Sequence, residues 1–255
     1  MMKLFLKIKY DGTNYAGYQV QDNAPTIQAE LNTALRDLFG VDCDVTGCSR
    51  TDSGVHAKCF CATVQFKGRS DFNTRIPCDK IPLALNFRLP DDISVFYAGF
   101  VDEDFHARYS VISKTYEYRI WNSPYRDPFC RSKAHHIPKL ITEKGIEDMQ
   151  KAADFICGLH DFAAFMSAGS SIKSTERTVY SCNVTKSDEE IIIRISADGF
   201  LYNMVRIICG TLLEVGKGSI TPCEIPKIIE SLDRNKAGPT LPACGLYLVE
   251  VQYPE

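Results

Sequence analysis

The stretch VDCDVTGCSRTDSGVHAKCFCATVQF, residues 41–66, sets two alternating runs, 41–46 and 57–66, on either side of a loop framed by Gly47 and Gly54. Alternation of that kind is strand periodicity. The glycines admit backbone angles that other residues resist, which suits a tight, shaped turn. The stretch therefore reads as a β-hairpin with Asp52 at its apex and Arg50 two residues before it. As a bare connection the loop would be no more than an Asx turn.

Outward from the hairpin the pattern is regular. Leu4, Leu6, Ile8 and Tyr10 alternate with Lys3, Phe5, Lys7 and Lys9, a strand with one apolar face. Thr26 is placed to cap a helix with Ile27, Leu31, Leu35 and Leu38 on one side and Gly40 at its end. After the hairpin come a short helix over 82–87 and a strand over 93–101, which gives the order β-α-β-β-α-β of ferredoxin-like folds. The second half repeats it. A strand over 114–121 is followed by a helix opening at Thr142 with Ile146, Met149, Ala153 and Ile156 inward, closed by Gly158. Strands over 177–185 and 190–197, an apolar helix over 203–215 and a strand over 246–253 complete it. Thr221 and Glu224 make a capping box for a further small helix, although Pro226 sits badly with that start. The chain is thus expected to be an α+β protein of two pseudo-symmetric ferredoxin-like halves, 1–105 and 106–255, with sheets joined edge to edge. The insert Ser167-Ala168-Gly169-Ser170-Ser171 reads as a flexible surface loop.

At 255 residues the chain can bury a sizeable core, and its 45% hydrophobic and 24% charged residues are those of a soluble globular protein. No apolar run approaches a membrane span, and the N-terminus is too charged for a signal-peptide core, which points to the cytoplasm and away from a membrane. Eleven cysteines, an odd count, read as reduced thiols. Cys59 and Cys61 share a strand face near Cys43, Cys48 and His56, but no C-x-x-C pair occurs, and small buried thiols account for them better than a metal site. The net charge of −3 is unusual for a nucleic-acid binder. Its distribution is less so. Arg108, Lys114, Arg119, Arg126, Arg131, Lys133 and Lys139 fall between His106 and Leu140 against only Glu117 and Asp127. That bias is either a solvated face or a surface that tracks phosphates.

Arg50-Thr51-Asp52-x-Gly54-Val55-His56-Ala57 resembles the signature of the tRNA pseudouridine synthase A family. Four further stretches resemble the same family in the same order. They are Tyr10-Asp11-Gly12-x-x-Tyr15-x-Gly17-x-Gln19, then Phe105-His106-Ala107-Arg108-Tyr109-Ser110 with Lys114-Thr115-Tyr116-Glu117-Tyr118, then Asn203-Met204-Val205-Arg206-Ile207-Ile208-x-Gly210, and Gly245-Leu246-Tyr247-Leu248-Val249. The resemblance implies a pseudouridine-synthase-type core, a homodimer and tRNA as substrate. The reaction it implies isomerises uridine to pseudouridine at positions 38, 39 and 40 of the anticodon stem and loop. The N1–C1′ bond breaks, the uracil turns, and C5 bonds to C1′. An isomerisation that neither gains nor loses an atom calls for no cofactor.

By the same resemblance Asp52 is the nucleophile. An ionised carboxylate can add to the sugar or the base, or take a C2′ proton on the way to a glycal, and the sequence leaves these routes open. Arg206, the lone basic residue on an apolar helix, would hold that carboxylate through a two-pronged salt bridge. Arg50 would fill the space left by the flipped base. Tyr116 would stack on the uracil, with a part in removing the C5 proton, whereas Tyr118 reads as core. Leu246 would floor the base, and His106 and Arg108 would meet the RNA backbone. Two positions depart from the family pattern: Ser49 stands where glycine is usual, and Tyr18 where tryptophan is common.

Three rivals are weaker. Gly216-Lys217-Gly218-Ser219 has the wrong spacing for a phosphate-binding P-loop, and a helix precedes it. A cysteine hydrolase using Cys59 with His56 needs an exposed thiolate, and Cys59 reads as lying in a buried strand. A silent RNA-binding module would use Tyr116 and Tyr118 as a paired aromatic platform.

Overall fold

The computed structural model describes residues 2–69, 71–169 and 172–254. Ser170 and Ser171, the end of the insert expected to be flexible, lie outside them. The elements run β1 (Met2–Tyr10), α1 (Ile27–Phe39), β2 (Cys43–Gly47), β3 (His56–Phe66), α2 (Ile81–Asn86), β4 (Ile93–Asp102) and β5 (Ser113–Asn122). They continue with β6 (His135–Ile137), α3 (Glu143–Ile156), β7 (Gly158–Asp161), β8 (Glu176–Ser187), β9 (Glu190–Ala197), α4 (Met204–Gly216), α5 (Ile225–Ser231) and β10 (Leu246–Gln252). They form two compact units, Met1–Ile112 with Tyr247–Glu255, and Ser113–Leu246.

In the first unit β1 lies between β4 and β3 and is antiparallel to both, Leu4 facing Phe100 on one side and Val64 on the other. β2 pairs antiparallel with the far half of β3, from Cys43 opposite Phe66 to Gly47 opposite Ala62. The order β4-β1-β3-β2 is the ferredoxin-like arrangement. Because β2 is short, the near end of β3 stays open on that edge, and β10 fills it in parallel, Tyr247 opposite His56 and Leu248 opposite Ala57. Leu4, Leu6 and Ile8 are wholly buried, as their alternation implies. Phe5, on the face expected to be polar, is buried too. Its ring meets those of Phe105 and Tyr253 at 5.5 and 5.7 Å, edge to face. Helix α1 is bounded as its sequence requires: Thr26 Oγ1 accepts from Ala29 N at 3.3 Å, and Gly40 closes it at φ +70°.

In the second unit β5 pairs with β9 from Lys114 opposite Ala197 to Trp121 opposite Glu190. β9 pairs in turn with β8, and β8 with β7, all antiparallel. The three-residue β6 runs parallel to β5. Helix α3 is capped by Thr142, whose Oγ1 accepts from Gly145 N at 3.1 Å. It ends at Ile156, and Gly158 belongs to β7 rather than to the cap. Ile146, expected inward, is only half-buried, and Gly145 takes the inner place. A side chain there would meet Gly216 O at 2.5 Å, so the glycine is what lets α3 close on the end of α4. The capping box is present, with Thr221 N and Oγ1 both donating to Glu224 Oε2 at 2.7 Å. It caps a 3-10 turn, and Pro226 falls in the first turn of α5, where its missing N–H costs nothing. Among the described residues no helix is long and apolar enough to cross a membrane.

Candidate active site

The hairpin loop that carries Asp52 is held by the end of β1 and the segment after it. Tyr10 Oη and Thr51 Oγ1 lie 2.8 Å apart. Tyr18 N donates to Thr51 O at 3.1 Å, and Tyr15 O accepts from Gly54 N at 3.3 Å and Ser53 Oγ at 3.2 Å. Two glycines make this approach possible. A Cβ on Gly12 would fall on the Val55 carbonyl, and one on Gly17, whose φ is +102°, would meet Thr51 O at 2.6 Å. Within the loop Val55 N donates to Asp52 O at 3.2 Å, and Gly54 turns the chain at φ +78°. Thr51 is buried, Asp52 half-buried and Arg50 exposed.

His56, buried at the loop's exit, ties the two segments together. Its ring stacks on that of Tyr247, centroids 4.6 Å apart. Its Nδ1 lies 3.1 Å from Gly12 N and 3.0 Å from Asp11 Oδ1. One ring nitrogen cannot accept and donate at once, so a neutral imidazole takes the Gly12 N–H and a protonated one donates to Asp11. Tyr18, in the place where tryptophan was expected, stacks on Phe60 at 4.2 Å. Its hydroxyl is buried with no partner among the described residues, and burial pushes its pKa upward.

His106 and Arg108 line a cleft of about 220 Å³ together with Arg50. Of the basic stretch beyond them, Arg126 and Arg131 are exposed. Arg119 is not part of a free basic face, since its guanidinium lies 3.6 Å from Glu117 and 3.5 Å from Glu190.

In the second unit Tyr116 is 6% exposed on β5, its ring edge-on to Phe200 at 5.2 Å. Tyr118 is fully buried and donates to Pro242 O at 2.7 Å, a core residue as its strand position implies. Ten of the thirteen residues of α4 are buried, so the half-buried Arg206 needs acceptors. Its Nε donates to Leu241 O and its Nη1 to Asn203 Oδ1, both at 2.7 Å. Asn203 holds φ +61° just before the helix and donates to Ser167 Oγ at 2.9 Å. These bonds use two of the five guanidinium donors and fix its plane. Leu246, 6% exposed, opens β10.

Cys59 differs from expectation. It is half-buried, not buried, and its thiol is lowered to about 7. The largest cause is a hydrogen bond from Cys61, with the Lys7 charge helping, while the Cys61 thiol is pushed up in return. Cys59 engages Cys61 and the backbone of Val251, while His56 Nδ1 faces Gly12 N and Asp11 Oδ1. Iodoacetamide at pH 7.5 should therefore label Cys59 ahead of the exposed Cys223, with a rate that rises through about pH 7. Cys59→Ala should keep full turnover, and a loss of more than about tenfold would bring the thiol back into the chemistry. Among the described residues no group of three or more His, Cys, Asp or Glu is arranged to hold a metal ion.

Tyr10, Gly12, Gly17 and His56 hold the Asp52 loop, a role that no local pattern assigns to them. The alternation around them carries no trace of contacts made across some forty residues. The glycines inside an otherwise aromatic segment, Tyr10 to Tyr18, were the available signal.

Comparison with known proteins agrees with this architecture. The family described as tRNA pseudouridine synthase matches residues 7–110 and 152–254. A tRNA pseudouridine synthase A of Ruminiclostridium cellulolyticum is 48% identical over 254 residues, 99% of this chain and 100% of its own. Those of Thermoanaerobacter sp. and Acetivibrio thermocellus are 47% identical over 253 residues, again 99% of this chain and all of theirs. One chain of a solved Cbf5-Nop10-Gar1 complex covers 83% of this chain at 10% identity and a TM-score of 0.35, too slight a likeness to carry an argument. The matches define a pseudouridine synthase. The chain belongs to the tRNA pseudouridine synthase A family.

Proposed function

We propose that the protein converts uridine to pseudouridine at positions 38, 39 and 40 in the anticodon stem and loop of tRNA, with Asp52 as nucleophile and no cofactor. The observation that carries this reading is a family match over almost the whole chain joined to an Asp52 loop fixed at Thr51, Ser53, Gly54 and Val55 by one neighbouring segment. A nucleophile held that firmly loses little freedom on reaching the transition state.

In this reading the N-terminal half, 1–105, supplies the loop, and the C-terminal half, 106–255, supplies Tyr116 and Arg206. Asp52 attacks the flipped uridine or removes its C2′ proton, and the N1–C1′ bond breaks. Uracil turns against Tyr116 and Leu246, C5 bonds to C1′ as Asp52 is released or returns the C2′ proton, and the C5 proton leaves as N1 takes one up. Arg206, its plane set by Leu241 and Asn203, keeps Asp52 ionised and oriented. Arg50 takes the place vacated in the RNA stack, and His106 and Arg108 meet the backbone. The enzyme acts in the cytoplasm as a homodimer.

Mapping pseudouridine across total tRNA incubated with the purified protein tests this. New pseudouridine should form at 38, 39 and 40 in tRNAs that carry uridine there. Modification at other positions alone, or none, would refute the substrate assignment.

A further inference from the structure

Within the connection between β4 and β5, the turn 105–110 is fastened at Phe105, His106, Ala107 and Ser110. Phe105 is sunk among Phe5 and Tyr253, and its carbonyl accepts from Lys3 Nζ at 3.1 Å. Ala107 is fully buried, and its carbonyl accepts from Tyr253 Oη at 2.7 Å. His106 Nδ1 accepts from the N–H groups of Arg108 and Tyr109 at 3.1 and 3.2 Å, which leaves the ring hydrogen on Nε2. Ser110 closes the turn in both directions, Ser110 N to His106 O at 2.9 Å and His106 N to Ser110 Oγ at 3.1 Å.

Arg108 and Tyr109 are what this scaffold presents. Tyr109 is 76% exposed, with the His106 ring at 4.3 Å and the Arg108 guanidinium 5.7 Å from its centroid. An apolar ring kept in water by so rigid a turn contributes nothing to the core. The cleft below it is lined by Gln19, Gly47 and Arg50 as well, and by no acidic residue. Among the described residues neither Arg50 nor Arg108 has an ion-pair partner, and the Gln19 amide has no hydrogen bond. In a chain of net charge −3 that is a local excess of positive charge beside a π surface. Aromatic face, guanidinium and unspent amide are the means by which proteins hold unpaired nucleotides.

We propose that this cleft is a second nucleotide subsite, which takes an unpaired RNA nucleotide adjoining the target uridine, its base stacked on Tyr109 and its phosphate on Arg108. Gln19 hydrogen-bonds the base edge or ribose. The inference rests on the reading of Asp52 as the centre of an RNA-modifying site.

The test uses the full chain and fluorescein-labelled pentauridylate, with binding followed by anisotropy at fixed salt. Tyr109→Ala should weaken binding about tenfold, while Tyr109→Phe stays within about twofold, because stacking needs the ring and not the hydroxyl. With tRNA as substrate, Tyr109→Ala should raise KM by a similar factor and leave kcat nearly unchanged. Wild-type protein that fails to bind pentauridylate, Tyr109→Ala that binds like wild type, or Ala and Phe variants equally impaired would each overturn the subsite. The two readings fail separately. Ring-dependent binding without pseudouridine formation on any tRNA sinks the isomerase and keeps the subsite, whereas turnover with ring-independent binding does the reverse.

Discussion

Asp52→Asn should leave the chain folded and bound to tRNA but take turnover down by at least about 10³-fold, since an amide can neither attack carbon nor accept the C2′ proton. The substitution changes one oxygen to nitrogen at a half-buried site and leaves the backbone bond from Val55 N to Asp52 O in place. Thr51, Ser53, Gly54 and Val55 keep their bonds and contacts to the segment after β1, so the loop has no reason to move. The loss should thus appear in kcat, with KM for tRNA changed by less than about threefold. Tritium release from C5-labelled uridine in tRNA reads it directly. Turnover within tenfold of wild type would remove Asp52 from the reaction.

Gly12→Ala is the second variant with a large expected effect, and it touches no substrate. Its methyl group would land on the backbone carbonyl of Val55, so either the 12–14 turn or the Asp52 loop must shift. A displacement near 1 Å of a reacting group costs about 10² in rate. Gly17→Ala should act alike and add the strain of φ +102° for a residue with a side chain. Gly40→Ala is the control. It carries similar strain at φ +70° but has nothing within 4 Å, so it should cost stability and spare kcat. Should Gly12→Ala turn over like wild type at unchanged KM, the loop takes its position from somewhere else.

What could be read in advance follows the range of the forces involved. Both ends of α1 and the start of α3 are set by Thr26, Gly40 and Thr142 acting on backbone a few residues away, and they fall where the sequence places them. The paired runs 41–46 and 57–66 became β2 and β3 within two residues, because alternation is local as well. The short β6 and β7 have too few residues to alternate and exist through their neighbours' edges. Phe5 looked solvent-facing until Phe105 and Tyr253 came from afar to cover it. Gly145 displaced Ile146 from the inside of α3 for want of room beneath Gly216, which no window around residue 145 reveals. Cys59 took its lowered pKa from Cys61 and Lys7, and the latter is on another strand. The site divides the same way. Asp52 is visible in its own loop, while the grip of Tyr10, Gly12 and Gly17 upon it exists only in three dimensions.

The parallel pairing of Tyr247 with His56 joins residues roughly 190 apart in the chain. A ribosome adding roughly 5–20 residues per second needs on the order of 10–40 s to travel that far. From the completion of β4 onward the nascent N-terminal unit has β1, β3 and β4 but not the strand that stacks Tyr247 on His56 and sets Tyr253 beneath the 105–110 turn. An uncovered strand edge invites foreign pairing, so this is the period when newborn molecules depend most on chaperones. Until residue 247 has cleared the exit tunnel, the His56 ring waits without the aromatic face that covers it in the finished molecule.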